Sequence, residues 1–405
     1  MRRSIELDSL RGVAALIVLL YHSWATFPDA VHAVPPLRTA ALFFSPAFLL
    51  RDTPLHLMVS GPGCVALFFV LSGFVLSISL SKFQKGSYGR YITRRFCRIY
   101  LPFAAAVLIS AIAYGFVLPH PVPEAVASYW FSHDQWSEKP TWGLILQHLL
   151  MVGTPRANTL DPPMWSLVAE MRVSLVFPLL YLLISRYRVM GMAAVMLAYF
   201  AASGVMTAIG EGEPKSFVAS LCFTIEYLPL FALGILLYET RDTLRSIYDR
   251  VPAAVRWAVL LPCVLLLGVP HVGPETTLTM GTKLFWLISV GAGSAAAMLI
   301  ALHSRAASRI LCLKPLQWLG HISYSLYLFH MLVLMAMVHL FRESLPLTTI
   351  LACVIPLSLL AAGLSYLLIE RPAMTLGYWL TRRPVAKAAR DWQQVGTGET
   401  VGVSQ

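Results

Sequence analysis

Long apolar runs separated by short polar ones make up most of the chain. Ten of them lie near 9–27, 62–81, 99–118, 164–185, 189–209, 218–238, 257–274, 282–303, 317–341 and 348–369. About 18 or more apolar residues cross the ~30 Å of bilayer hydrocarbon as a helix. The pattern therefore predicts an all-α, polytopic membrane bundle with about ten transmembrane helices. Two intervening stretches, 28–61 and 119–163, are too long for simple turns. The second carries "YWFSHDQW" and "TWGLILQHLLMVG" and predicts an interfacial or re-entrant helix, too short and polar to span. Residues 1–375 read as one membrane domain and 376–405 as a polar tail, expected to be disordered.

Composition agrees. Of 405 residues, 57% are hydrophobic and only 13% charged, with mean hydropathy +0.68, whereas a soluble domain is roughly a quarter charged. The formal net charge of +11 is explained by placement. Most of the 31 Lys and Arg residues fall in 1–11, 82–98, 186–188, 239–256, 304–316 and 370–405, alternate connections that the positive-inside rule assigns to the cytoplasm. Both termini are then cytoplasmic, and nucleic-acid binding is unnecessary. A signal peptide cleaved near Ala30–Ala33 is disfavoured, because Glu6 and Asp8 spoil a basic leader and the apolar stretch runs on through Trp24 and Phe27. The six cysteines show no CxxC or zinc spacing, and no metal site is expected.

Ionisable residues inside apolar runs are costly and mark functional candidates. "RGVAALIVLLYH" separates Arg11 from His22 by three helical turns, a rise of ~16 Å, on one face. "YGRYITRRFCRIYLP" sets Arg94, Arg95 and Arg98 at the cytoplasmic mouth of the third span, where clustered guanidinium groups suit phosphates. "WSLVAEMR" carries Glu170 into the fourth span, ~10 Å from its outer end, where a carboxylate needs a partner. "SYSLYLFH" places Ser323, Tyr327 and His330 on a shared stripe, with Tyr324 off it. Taken singly, each is equally well a lipid-facing basic flank, a buried ion pair or a polar packing seam.

Together these stretches resemble the membrane-bound acyltransferase family 3, the O-acetylase group that modifies surface sugars. The likeness covers most of the chain through "LDSLRGVAALIVLLYH", "GCVALFFVLSGFVLS", "RRFCRIYLP", "WSLVAEMRVSLVFP", "ISYSLYLFH" and "LIERP", in that order. It implies a bundle of about ten helices and transfer of an acyl group from cytoplasmic acyl-CoA, by default acetyl-CoA, to a hydroxyl of an extracytoplasmic glycan or glycolipid. Exopolysaccharide and lipopolysaccharide sugars are the expected acceptors. By the resemblance Arg11 and His22 fall on the family's essential pair and Arg94, Arg95 and Arg98 on its donor-associated arginines. Glu170, His330 and Glu370 match further motifs. Ala169 stands where many members carry a polar residue, often His.

The resulting expectation docks CoA phosphates at the arginines, threads the pantetheine arm between helices and brings the thioester to His22. A neutral imidazole there would act as general base, with Glu170 orienting it or helping to keep it basic. Ser72 and Gly73 form a small-residue seam beside the path. Acyl-CoA is thus a substrate, and no permanently bound cofactor is expected. A covalent relay through Ser72, Tyr327 or His22 remains open, as does oligomeric state. The competing reading is a proton-coupled transporter or a flippase for a lipid-linked sugar.

Overall fold

In hydrocarbon a backbone must satisfy its own N–H and C=O groups, which favours helices wherever the chain is continuously apolar. The computed structural model describes residues 4–28, 50, 53–81, 88–120, 122–124, 126–136, 138–152, 159–210, 216–269 and 279–382, and no strand occurs among them. In chain order the helices are Ile5–Ala25 (α1), Gly61–Leu80 (α2), Tyr88–Val117 (α3), Tyr129–Asp134 (α4), Trp142–Leu149 (α5) and Met164–Arg186 (α6). Then come Arg188–Ile209 (α7), Phe217–Glu226 (α8), Leu228–Glu239 (α9), Arg241–Arg250 (α10) and Ala253–Leu265 (α11). Met280–His303 (α12), Arg305–Leu311 (α13), Lys314–Phe341 (α14), Leu347–Ser365 (α15) and Arg371–Leu380 (α16) complete the series.

Among the described residues, 8 helices are long and apolar enough to cross a membrane: α2, α3, α6, α7, α8 with α9, α12, α14, and α15 continued to Leu380. The other two expected spans are α1, whose 21 residues include Asp8, Arg11 and His22, and the shorter apolar stretch Ala253–Gly268. The protein is a multi-pass, all-α membrane bundle.

Three boundaries differ from the hydropathy reading. Helix α3 begins at Tyr88 rather than near 99, because the Tyr88 and Tyr91 hydroxyls donate to Leu175 O (2.9 Å) and Ser174 O (3.1 Å) of α6. The 119–163 stretch holds two short helices, α4 and α5, neither able to span. The last span continues through a π-turn, Tyr366–Glu370, into α16, so residues 376–380 are helical. The rest of the expected tail, 383–405, lies outside the described residues, as does the Ala30–Ala33 cleavage candidate.

Helix α14 is buried on every side from Ile322 to Leu332, which makes it the axis of the bundle. Helix α1 lies parallel to it, with Gly12 against Gly320. A Cβ on Gly12 would come within 2.5 Å of Gly320 N, and one on Gly320 within 2.6 Å of Asp8 O. Only glycine allows backbones this close. On the other side of α2, Gly73 meets Gly234 of α9 in the same way, so the small-residue seam expected at Gly73 is a backbone contact.

Candidate active site

Two polar layers lie along the α1–α14 axis. The first is a buried charge cluster. Arg95 Nη2 pairs with Glu170 Oε1 at 2.9 Å, with both side chains about 15% exposed (14% and 15%). Ser72 Oγ donates to the same oxygen at 3.0 Å, and Arg95 also donates to Ser174 Oγ. Arg11 and Arg98 act electrostatically on both Glu170 and Glu370. Glu370, 3% exposed, is turned inward by the π-turn and accepts from Ser325 Oγ at 2.7 Å. Three guanidinium groups thus act on two carboxylates. A cavity of ≈ 30 Å³, room for a water or two, is lined here by Arg11, Ser72, Glu170, Ser323, Tyr324 and Tyr327 among others.

This arrangement corrects three expectations. The partner of Glu170 is Arg95, so Glu170 does not orient His22. Because the start of α3 runs alongside residues 174–175 of α6, its arginines reach the depth of Glu170 and are not confined to a mouth. The three arginines also separate: Arg95 and Arg98 face the acids, while Arg94 donates to Thr381 Oγ1 at 2.7 Å and lies over the Tyr378 ring of α16.

The second layer contains the histidines. His22 Nδ1 and His330 Nε2 are 3.0 Å apart, with His330 fully buried and His22 half-buried. His330 Nδ1 lies 2.9 Å from Leu326 O. A carbonyl only accepts, so His330 carries its proton on Nδ1 and presents Nε2 as a lone pair. His22 Nδ1–H must then donate to His330, with the Val18 backbone as a second hydrogen-bond contact of the ring. With both rings neutral, the basic lone pair of His22 is on Nε2. The ring is stacked on Trp130 of α4 (centroids 5.5 Å, 21° between planes) and met edge-on by Tyr21 at 5.0 Å. Ser128 N donates to Thr26 O at 2.8 Å, which ties the α4 segment to the end of α1.

Tyr327 connects the layers. Its ring is 6.1 Å from His330, and its hydroxyl is 2.6 Å from Ser166 Oγ. Because the single Ser166 proton goes to Pro163 O at 3.0 Å, Tyr327 is the donor in that pair. Tyr324, expected off the stripe, lines the cavity and donates to Ile99 O at 2.6 Å. Ser323 Oγ donates to Gly320 O. Trp130, Ser166 and Ser325 were not anticipated. The aromatic run "YWFSHDQW" was a usable signal for Trp130, whereas isolated serines give none.

A buried, partnered histidine pair a layer away from a guanidinium cluster is a setting for proton transfer and anion binding. Comparison with known sequences agrees with it: a family model described as an acyltransferase domain matches residues 4–367. The chain belongs to that acyltransferase family. It is an acyl-transferring membrane enzyme. A Bacillus subtilis (strain 168) protein with the provisional name peptidoglycan O-acetyltransferase YrhL is 26% identical over 355 residues, covering 81% of this acyltransferase and 53% of the relative. The chain therefore spans about half the length of that relative. Acyltransferase MdmB of Streptomyces mycarofaciens is 26% identical over 362 residues, covering 82% of the chain and 86% of the relative. No solved structure matches the chain.

Proposed function

We propose that this acyltransferase moves an acyl group, by default acetyl, from cytoplasmic acyl-CoA to a hydroxyl of an extracytoplasmic carbohydrate, from the bacterial inner membrane, with both termini in the cytoplasm. The observation that carries the reading is the histidine pair, whose hydrogen bonds leave His22 Nε2 as a base. The acceptor O–H gives its proton to His22 Nε2 as the oxygen bonds to the thioester carbonyl carbon. The C–S bond then breaks, and the CoA thiolate takes the proton from the imidazolium. His330 Nε2 holds His22 Nδ1–H throughout and stabilises the transient positive charge. General-base assistance of this kind is worth ~10²–10⁴ in rate.

A layer away from His22, the guanidinium groups of Arg11, Arg95 and Arg98 suit an anionic part of the CoA donor. Arg94, directed to α16, is left for the phosphates of CoA. The name of the Bacillus relative supports an O-acetyl product, and peptidoglycan is one acceptor consistent with it.

The test uses purified protein in detergent with acetyl-CoA, scoring free CoA thiol, alongside mass spectrometry of surface glycans from cells with and without the gene. The reading expects thiol release and glycans lacking an acetyl group when the protein is absent. A transporter or flippase would leave the thioester intact.

A further inference from the structure

Among the described residues the fold buries two acids outright, Asp161 and Glu370. Glu370 is held by Ser325. Asp161, 0% exposed, has no hydrogen-bond partner on either carboxylate oxygen, and the chemistry above does not use it. Its position is nonetheless fixed by its neighbours' backbone. Leu160 O accepts from Ser110 Oγ of α3 at 2.5 Å, Thr159 O accepts from Trp136 N at 3.3 Å, and Asp161 O accepts from Met164 N at 3.0 Å. The side chain lies close enough to Tyr324 and Tyr327 to act on them electrostatically.

A bare carboxylate inside a bundle is among the costliest groups a fold can carry. Such a group calls for a partner, which a water or a ligand can supply. Burial raises the Asp161 carboxyl well above the usual carboxylate range. In its protonated form a carboxyl presents one donor and one strong acceptor side by side. An alcohol offers the complementary pair, and a vicinal diol offers it twice.

We infer that Asp161 is an acceptor subsite, whose carboxyl group binds one hydroxyl, or two adjacent hydroxyls, of a sugar or polyol beside Tyr324 and Tyr327. The inference rests on the acyl-transfer reading and adds to it the acceptor's chemistry. An acceptor lacking hydroxyls near the reacting one would leave this group bare and bind poorly.

The test compares Asp161→Asn with Asp161→Leu. Asparagine keeps one donor and one acceptor in the same shape, and leucine keeps only volume. Each full-length variant replaces the wild type in cells, where alkali-labile acetate on surface carbohydrate is measured. Each is also purified in detergent for its thermal midpoint and for cleavage of acetyl-CoA by water. D161L is expected to lose about 30-fold or more of carbohydrate acetylation relative to its water cleavage, and D161N about threefold or less. The midpoint of D161L should rise, because a bare polar group is removed.

Undiminished acetylation in D161L overturns the inference, as does equal loss in D161N and D161L, which would mark a charge. A lowered D161L midpoint also overturns it, since that would reveal a structural partner. If the wild type itself leaves acetyl-CoA intact, the acyl-transfer reading fails first and the subsite falls with it. That result is visible before any variant is made.

Discussion

Replacing His330 with leucine isolates the histidine pair from the rest of the fold. The buried site takes an apolar side chain of similar size at small cost. Leu326 O keeps its α-helical hydrogen bond, so no buried carbonyl is orphaned. What is lost is the 3.0 Å contact to His22 Nδ1. In the ground state that bond joins two neutral groups, but it gains charge as His22 takes the acceptor proton. A hydrogen bond to a charged group contributes ~1.5–3 kcal/mol and a neutral one ~0.5–1.5, so the difference that bears on kcat is ~1–1.5 kcal/mol. At 1.36 kcal/mol per tenfold, this corresponds to about 5- to 13-fold in kcat. KM for acetyl-CoA should hold, because His330 lies a layer away from the arginines. Steady-state kinetics on protein purified in detergent, with circular dichroism and a thermal scan, separates the terms. His22→Ala should fall further, by ~10²–10⁴, and His330→Gln, which keeps an acceptor, should recover part of the H330L loss. Wild-type kcat in H330L would refute the tautomer argument and with it the assignment of His22 Nε2 as base.

Three further outcomes follow from the geometry. Glu170→Gln should lower the thermal midpoint by an amount equivalent to about 3 kcal/mol, since it strands a nearly buried Arg95, and Arg95→Met combined with Glu170→Leu should recover part of the loss; equal stability of E170Q and wild type would contradict the pair. Gly12→Ala should cost ~1–3 kcal/mol by forcing α1 off α14 and should also slow turnover by separating His22 from His330, although neither glycine touches the chemistry; unchanged turnover and midpoint would contradict that packing. Because folding raises the Asp161 pKa, the native state holds a proton that the unfolded chain releases. Stability should therefore fall as pH rises above the usual carboxylate range, by up to about 1.4 kcal/mol per pH unit, and the slope should be shallower in D161N when midpoints are measured across pH.

The sequence alone determined the class of the protein and the identity of much of its chemistry. Apolar length is a one-dimensional property, and the bilayer converts it directly into helices; among the described residues, each of the ten expected runs falls on helical segments. The cost of burying charge made Arg11, His22, Glu170 and His330 visible for the same reason. Partner choice belonged to the tertiary structure. Helical spacing says which residues share a face of their own helix, but not which residue of another helix they meet. Glu170 pairs with Arg95 because Tyr88 and Tyr91 bring the start of α3 against the middle of α6. His22 meets His330, and not Glu170, because Gly12 and Gly320 let α1 and α14 lie parallel with their backbones in contact. Glu370 turns inward because of a π-turn that no apolar periodicity encodes. Asp161 and Trp130 lie in connections between spans, where local pattern is weak and position is set by hydrogen bonds from residues far away in the chain.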